Sequence, residues 1–137
     1  MKHRLLANTG IYVSELCLGA MTFGGVGMFE AIGALGQKEA DTLVHRSLDA
    51  GVNFFDTADT YGDGLGEEIL AEVLGHKRNE IIIGTKFGYD IYDPTPRDGH
   101  KERSQKFDKE FVKYACEQSL RRLGTIISIS TRRTTSN

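Results

Sequence analysis

Gly51-Val52-Asn53-Phe54-Phe55-Asp56-Thr57-Ala58-Asp59-Thr60-Tyr61-Gly62 decides how this chain is read. An apolar, aromatic run ends in an acid, and a turn-rich stretch carries a tyrosine five residues further on. Residues 52–56 have strand composition. Gly51 before them is a helix stop, and residues 37–50 supply the helix: Ala40, Leu43, Val44, Ser47 and Leu48 recur at helical spacing.

The same alternation continues downstream. Residues 66–74 read as a helix with Ile69, Leu70, Val73 and Leu74 on one side and Gly75 after it. Glu67 and Glu68 fall in its first turn, where carboxylates suit the helix dipole. Residues 80–86 form a β-branched run expected to be buried on both faces, and it ends at Lys86. Residues 87–107 are long and polar and hold both prolines, Pro94 and Pro96; a loop of this length in a compact domain is usually functional or mobile. Asp108 is placed to cap a third helix, whose apolar positions include Phe111, Val112, Ala115, Cys116 and Leu120, with Gly124 at its end. Residues 126–129 have the composition of a fourth strand. Residues 130–137 are polar and read as featureless.

Upstream, residues 4–6 and 11–13 flank Ala7-Asn8-Thr9-Gly10, a hairpin signal. Leu16-Cys17-Leu18 reads as a first buried strand, and the glycine-rich stretch 19–36 as a loop. Strands alternating with helices predict a parallel α/β fold, either a doubly wound sheet or part of a barrel. No G-x-G-x-x-G follows a strand and no G-x-x-x-x-G-K-[ST] is present, so the usual dinucleotide and nucleotide loops are not indicated.

Composition narrows the function classes. The chain has 137 residues, 39% hydrophobic and 26% charged, which suits one globular domain. Net charge is −2 with no basic block, so nucleic acid is not an expected partner. No apolar run has membrane-spanning length, and no membrane association is expected. Cys17 and Cys116 are far apart with no Cys-x-x-Cys spacing, which points to a reduced, cytoplasmic setting. His3, His45, His76 and His100 show no ligand spacing with the cysteines, so no metal is expected.

Reactive groups in parallel α/β sheets collect at the carboxyl ends of strands. Asp56 and Lys86 close successive strands, and Tyr61 lies in the loop beyond Asp56. A free phenol ionises near pH ~10. An ammonium beside it favours the phenolate, and a carboxylate beside the ammonium keeps that charge in place. Such a set can donate a proton to a carbonyl oxygen while the carbon receives hydride. Singly, each residue also has a plainer reading: a turn cap, a loop tyrosine, a strand-end lysine.

Five motifs in order carry a family resemblance: Leu16-Cys17-Leu18-Gly19-Ala20-Met21-Thr22-Phe23-Gly24, the quoted 51–62 stretch, Glu67-Glu68, Thr85-Lys86, and Ser119-Leu120-Arg121-Arg122-Leu123-Gly124. Together they closely resemble the aldo-keto reductase family, from the hairpin to Gly124. The resemblance implies the amino-terminal half of a (β/α)₈ TIM barrel with an N-terminal β-hairpin. It implies NADP(H)-linked reduction of small aldehydes, ketones or sugar carbonyls, NAD(H) not being excluded. It gives Asp56, Tyr61 and Lys86 as catalytic, and Gly19, Ala20, Met21 and Thr22, with Asp56, as lining the nicotinamide end. Phe23, Phe29, Phe87 and Tyr92 either line the substrate pocket or pack loops against the barrel, packing being expected of at least two.

The resemblance stops at Thr125. The family continues there with a strand similar to Asp-Tyr-Ile-Asp-Leu-Tyr-Gln-x-His, whose histidine helps orient the carbonyl. This chain reads Ile126-Ile127-Ser128-Ile129-Ser130-Thr131-Arg132-Arg133-Thr134. Those residues can be encoded ATT ATA TCG ATC TCT ACC AGG CGC ACA. One G restored in front gives GAT TAT ATC GAT CTC TAC CAG GCG CAC, or Asp-Tyr-Ile-Asp-Leu-Tyr-Gln-Ala-His. The expectation is a partial reductase barrel over 1–125 and a tail over 126–137 produced by a one-base deletion, with a naturally divergent tail as the alternative. A chain so truncated is expected to be inactive alone, and a non-catalytic cofactor-binding or scaffold remnant is the competing reading.

Overall fold

A computed structural model describes residues 1–25, 27–32, 35–95, 103–125 and 130–133. Strands β1 (His3–Leu5) and β2 (Tyr12–Ser14) form an antiparallel hairpin, with Leu5 opposite Tyr12. Strand β3 (Leu18–Gly19) then opens a parallel sheet. Helix α1 (Gln37–Asp49) leads to β4 (Phe54–Asp56), and α2 (Leu65–Leu74) leads to β5 (Ile82–Phe87). Helix α3 (Lys109–Arg122) precedes β6 (Ser130–Arg133). The sheet order is β3-β4-β5-β6, every pair parallel.

The helices form where apolar spacing and caps place them. The Asp108 carboxylate accepts from the Phe111 N–H at 2.9 Å, the predicted cap. Ala40 and Val44 of α1 and Ile69, Leu70, Val73 and Leu74 of α2 pack with Phe55, Ile81 and Ile83 in one buried cluster. This core covers one face of the sheet. Fully burying a side chain such as Phe55 contributes about 1.5–3 kcal/mol.

The opposite face alternates with it, as strand periodicity requires. Cys17, Gly19, Phe54, Asp56, Ile82 and Gly84 line a cavity of about 500 Å³ that Leu6, Thr9 and Ile11 of the hairpin segment also border. Asn53 joins hairpin and sheet: its Oδ1 accepts from the Ser14 N–H at 2.7 Å and its Nδ2 donates to the Tyr12 carbonyl at 3.1 Å.

Two expectations need correction. The 19–36 stretch is not irregular throughout: Gly27–Ile32 is a 3-10 helix, and Phe23 bridges to Leu35. Residues 130–133 are not featureless. They pair with β5, Gly84 opposite Ser130 and Phe87 opposite Arg133, because the edge of β5 offers unpaired backbone groups that any extended segment can satisfy. The expected strand at 126–129 lies outside the described residues. Glu67 lies in the first turn of α2, as expected, and is fully buried there.

Candidate active site

Asp56 and Lys86 meet because their strands are neighbours in register. Asp56 pairs with Gly84, which places Lys86 one inward-facing position further along β5. The Lys86 ammonium donates to Asp56 Oδ1 at 2.5 Å and to the Thr57 carbonyl at 2.6 Å. The lysine side chain is only 15% exposed and the Asp56 side chain 40%. A largely buried ammonium with two oxygen acceptors is held as a charge in one position.

Tyr61 completes the set. The loop after β4 continues the ladder, Thr57 N–H to the Gly84 carbonyl at 2.8 Å and Asp59 N–H to the Lys86 carbonyl at 3.0 Å, before it turns at Tyr61. The Lys86 ammonium lies 5.0 Å from the Tyr61 ring centroid, over the ring. Phe29 meets Tyr61 edge-on at 5.3 Å between centroids. The turn requires glycine after the tyrosine: Gly62 has φ +61°, and a Cβ there would stand 2.2 Å from the Gly24 carbonyl oxygen. Tyr61 is thus fixed against the 19–24 segment by backbone contact.

The four residues expected at the nicotinamide end fall into two groups. Gly19 lines the cavity beside Asp56, and a Cβ there would meet nothing within 4 Å. Met21 is 40% exposed on the same segment. Ala20 is buried in the core, its N–H donating to the Asp56 carbonyl at 2.8 Å, so its role is to hold β3 against β4. The Thr22 carbonyl accepts from Leu35 N–H at 3.0 Å. Of the candidate pocket aromatics, Phe23 is a core residue and Tyr92 packs edge-on against Phe111 and Tyr114 of α3. Among the described residues, no three His, Cys, Asp or Glu side chains are grouped to hold a metal.

Two features escaped the sequence reading. Cys17 is exposed into the cavity rather than buried; partial burial raises its thiol pKa, Asp56 raises it further, and Lys86 opposes both. Behind the sheet, Glu67 accepts from Thr85 Oγ1 and from Arg122 Nε, each at 2.6 Å, and Arg122 also donates to the Tyr92 hydroxyl at 3.1 Å. Burial pushes the Tyr92 phenol up to about 12. Asp59 sits in the same cluster with no exposed surface. The signal was present in Glu67-Glu68 and Arg121-Arg122, but periodicity does not tell which member of each pair faces inward.

A parallel strand–helix sheet with an acid, a lysine and a tyrosine gathered at its carboxyl rim defines the class of fold: one part of a (β/α)₈ barrel. A model described as the Aldo/keto reductase family matches residues 15–127. The chain belongs to the aldo/keto reductase family. The "Uncharacterized oxidoreductase YrpG" of Bacillus subtilis is 34% identical over 135 residues, 91% of this chain and 37% of that protein. A "Probable voltage-gated potassium channel subunit beta" of Oryza sativa is 39% identical over 90 residues, 63% of this chain and 25% of that protein. The solved aldo-keto reductase AKR11C1 from Bacillus halodurans, in its holo form, superposes with a TM-score of 0.78 at 30% identity, over 97% of this chain and 40% of its own. The chain therefore spans between 25% and 40% of the length of these relatives.

Proposed function

We propose that this chain carries the proton-transfer half of an NADP(H)-dependent reductase of aldehydes, ketones or sugar carbonyls. The observation that carries the reading is the convergence of Asp56, Lys86 and Tyr61 on one rim. The nicotinamide would supply hydride to the carbonyl carbon. Asp56, at the carboxyl end of β4 with Gly19 beside it, would offer its carboxylate to the nicotinamide amide. NAD(H) in place of NADP(H) is compatible with these residues.

In this reading Tyr61 gives its hydroxyl proton to the substrate oxygen. Lys86 stabilises the negative charge left on the phenol oxygen, and Asp56 keeps the ammonium aimed. Phe29, edge-on to Tyr61, limits the ring to one orientation. The fourth group, a histidine to orient the carbonyl, belongs to the strand that one restored base after the Thr125 codon would encode. We assign the 126–137 tail to that frame change. The compartment is the reducing cytoplasm, in keeping with the free thiols of Cys17 and Cys116.

A second reading follows from the relative named as a channel subunit beta: a non-catalytic cofactor-binding or scaffold fragment. One assay separates the two. The frame-restored protein and the 137-residue chain are each given NADPH and a panel of aldehydes and ketones. Oxidation of NADPH by the frame-restored protein alone, lost in Tyr61→Phe, supports the reductase. Cofactor binding with no turnover by either supports the scaffold.

A further inference from the structure

Asp59 is a buried ionisable group that proton transfer to substrate does not use. It is fully buried, and neither carboxylate oxygen meets a donor in hydrogen-bonding geometry. Its surroundings come from four directions. Glu67 of α2 and Asp63 of its own loop are acidic, Arg122 of α3 is basic, and the Tyr92 phenol follows from the loop after β5. Two fully buried carboxylates, Asp59 and Glu67, thus share one guanidinium. Arg122 Nε and Thr85 Oγ1 both go to Glu67, at 2.6 Å each. Asp59 is left with the Thr60 N–H and a share of the Arg122 charge, which do not offset its burial and the neighbouring Glu67. Burial first, then Glu67, raise its pKa to about 7.

The backbone of the same residue reaches the site. Asp59 N–H donates to the carbonyl of Lys86, and Tyr61 N–H donates to the carbonyl of Ala58. A movement of the 57–61 backbone that solvates the Asp59 carboxylate would break the bond to Lys86 and carry Tyr61 with it.

We infer that Asp59 is a positioning residue for Tyr61 and Lys86, holding the 57–61 loop on the end of β5 while it is uncharged and releasing that loop when it ionises. The inference rests on the reading of Tyr61 and Lys86 as the proton-transfer pair. Its physical basis is separate: an ionised carboxylate beside Glu67 gains by opening to water, whereas the neutral acid does not. A reductase built this way loses its aligned tyrosine as the solution becomes alkaline, apart from any titration of the tyrosine itself.

The test is hydrogen exchange of backbone amides in the full 137-residue chain, at about pH 5.5 and about pH 8.5, corrected for the intrinsic pH dependence of exchange. The amides of Asp59 and Tyr61 are expected to lose protection on the order of tenfold more than those of Val44 and Ile83 in the core. Asp59→Asn, which keeps the shape and cannot ionise, should hold the loop equally at both pH values. Equal loss across loop and core would make Asp59 a determinant of global stability only and overturn the inference. Loop protection that does not change with pH in the unsubstituted chain would overturn it as well, whether or not the variant folds. The readout needs no turnover, so an inactive frame-restored protein would count against the catalytic reading and leave this result standing.

Discussion

The Lys86 ammonium is bound twice on the same side, to Asp56 Oδ1 at 2.5 Å and to the Thr57 carbonyl at 2.6 Å. Both acceptors come from the end of β4, so the lysine of one strand is fastened to the terminus of the next. The ammonium also lies over the ring of Tyr61, 5.0 Å from its centroid. Asp56→Asn removes the charge and keeps the shape. In the frame-restored protein it is expected to lower kcat with little change in KM, because the ammonium is then steered by one neutral oxygen and one amide. Steady-state kinetics measure the split; an unchanged kcat would separate Asp56 from the chemistry.

Stability should depend on pH through Asp59. Its pKa rises from the ordinary 3.8 to about 7 in the folded chain. The folded state therefore binds the proton more tightly than the unfolded state. The stability so gained is complete below pH 3.8 and is lost as pH rises through about 7. The full effect is on the order of a few kcal/mol. Asp59→Asn removes the loss, so its melting temperature should exceed that of the unsubstituted chain by more at pH ~8 than at pH ~5. A constant difference between the two conditions would show that Asp59 does not change its protonation state between them.

The Glu67–Arg122 pair ties α2 to α3 across the back of β5. Arg122→Met leaves Glu67 buried with Thr85 as its remaining donor. Breaking a buried pair in this way costs about 3–5 kcal/mol. Glu67→Gln keeps an acceptor for Thr85 and should cost less. Chemical denaturation of both variants checks the order, and a smaller loss for Arg122→Met would mean that water replaces the guanidinium.

Gly62 is where the Tyr61 loop touches the 19–24 segment. Gly62→Ala meets a left-handed backbone, φ +61°, and the Gly24 carbonyl at 2.2 Å. The conformation alone costs about 1 kcal/mol, and the contact must also be relieved by moving one loop. Thermal unfolding should show a loss greater than that of Gly75→Ala, where a Cβ meets nothing within 4 Å. Equal losses would mean that the two loops move apart freely.

Much of this arrangement was legible in the sequence because local rules agree with one another there. The spacing of Ala40, Val44 and Leu48 set α1, Asp108 announced its own cap, and Ile81 to Ile83 read as a buried strand. Asp56 and Lys86 at successive strand ends were enough to bring them together, since parallel neighbours share one rim. What lay beyond reading depends on the third dimension. Nothing local distinguishes Glu67, at the back of β5, from its exposed neighbour Glu68. Cys17 reads as a core residue because its neighbours Leu16 and Leu18 are apolar, and strand alternation sends it to the cavity instead. Ser130 to Arg133 lacks strand composition, and pairs because the β5 edge supplies the hydrogen bonds.

The central claim is that Tyr61 delivers a proton under the control of Lys86 and Asp56. Its most direct test is the rate of NADPH oxidation by the frame-restored protein with a reactive aromatic aldehyde, compared with Tyr61→Phe. General acid catalysis contributes about 10²–10⁴-fold, so kcat should fall within that range while NADPH affinity, measured by fluorescence titration, stays the same. A Tyr61→Phe protein that reduces the aldehyde at the unsubstituted rate would contradict the account.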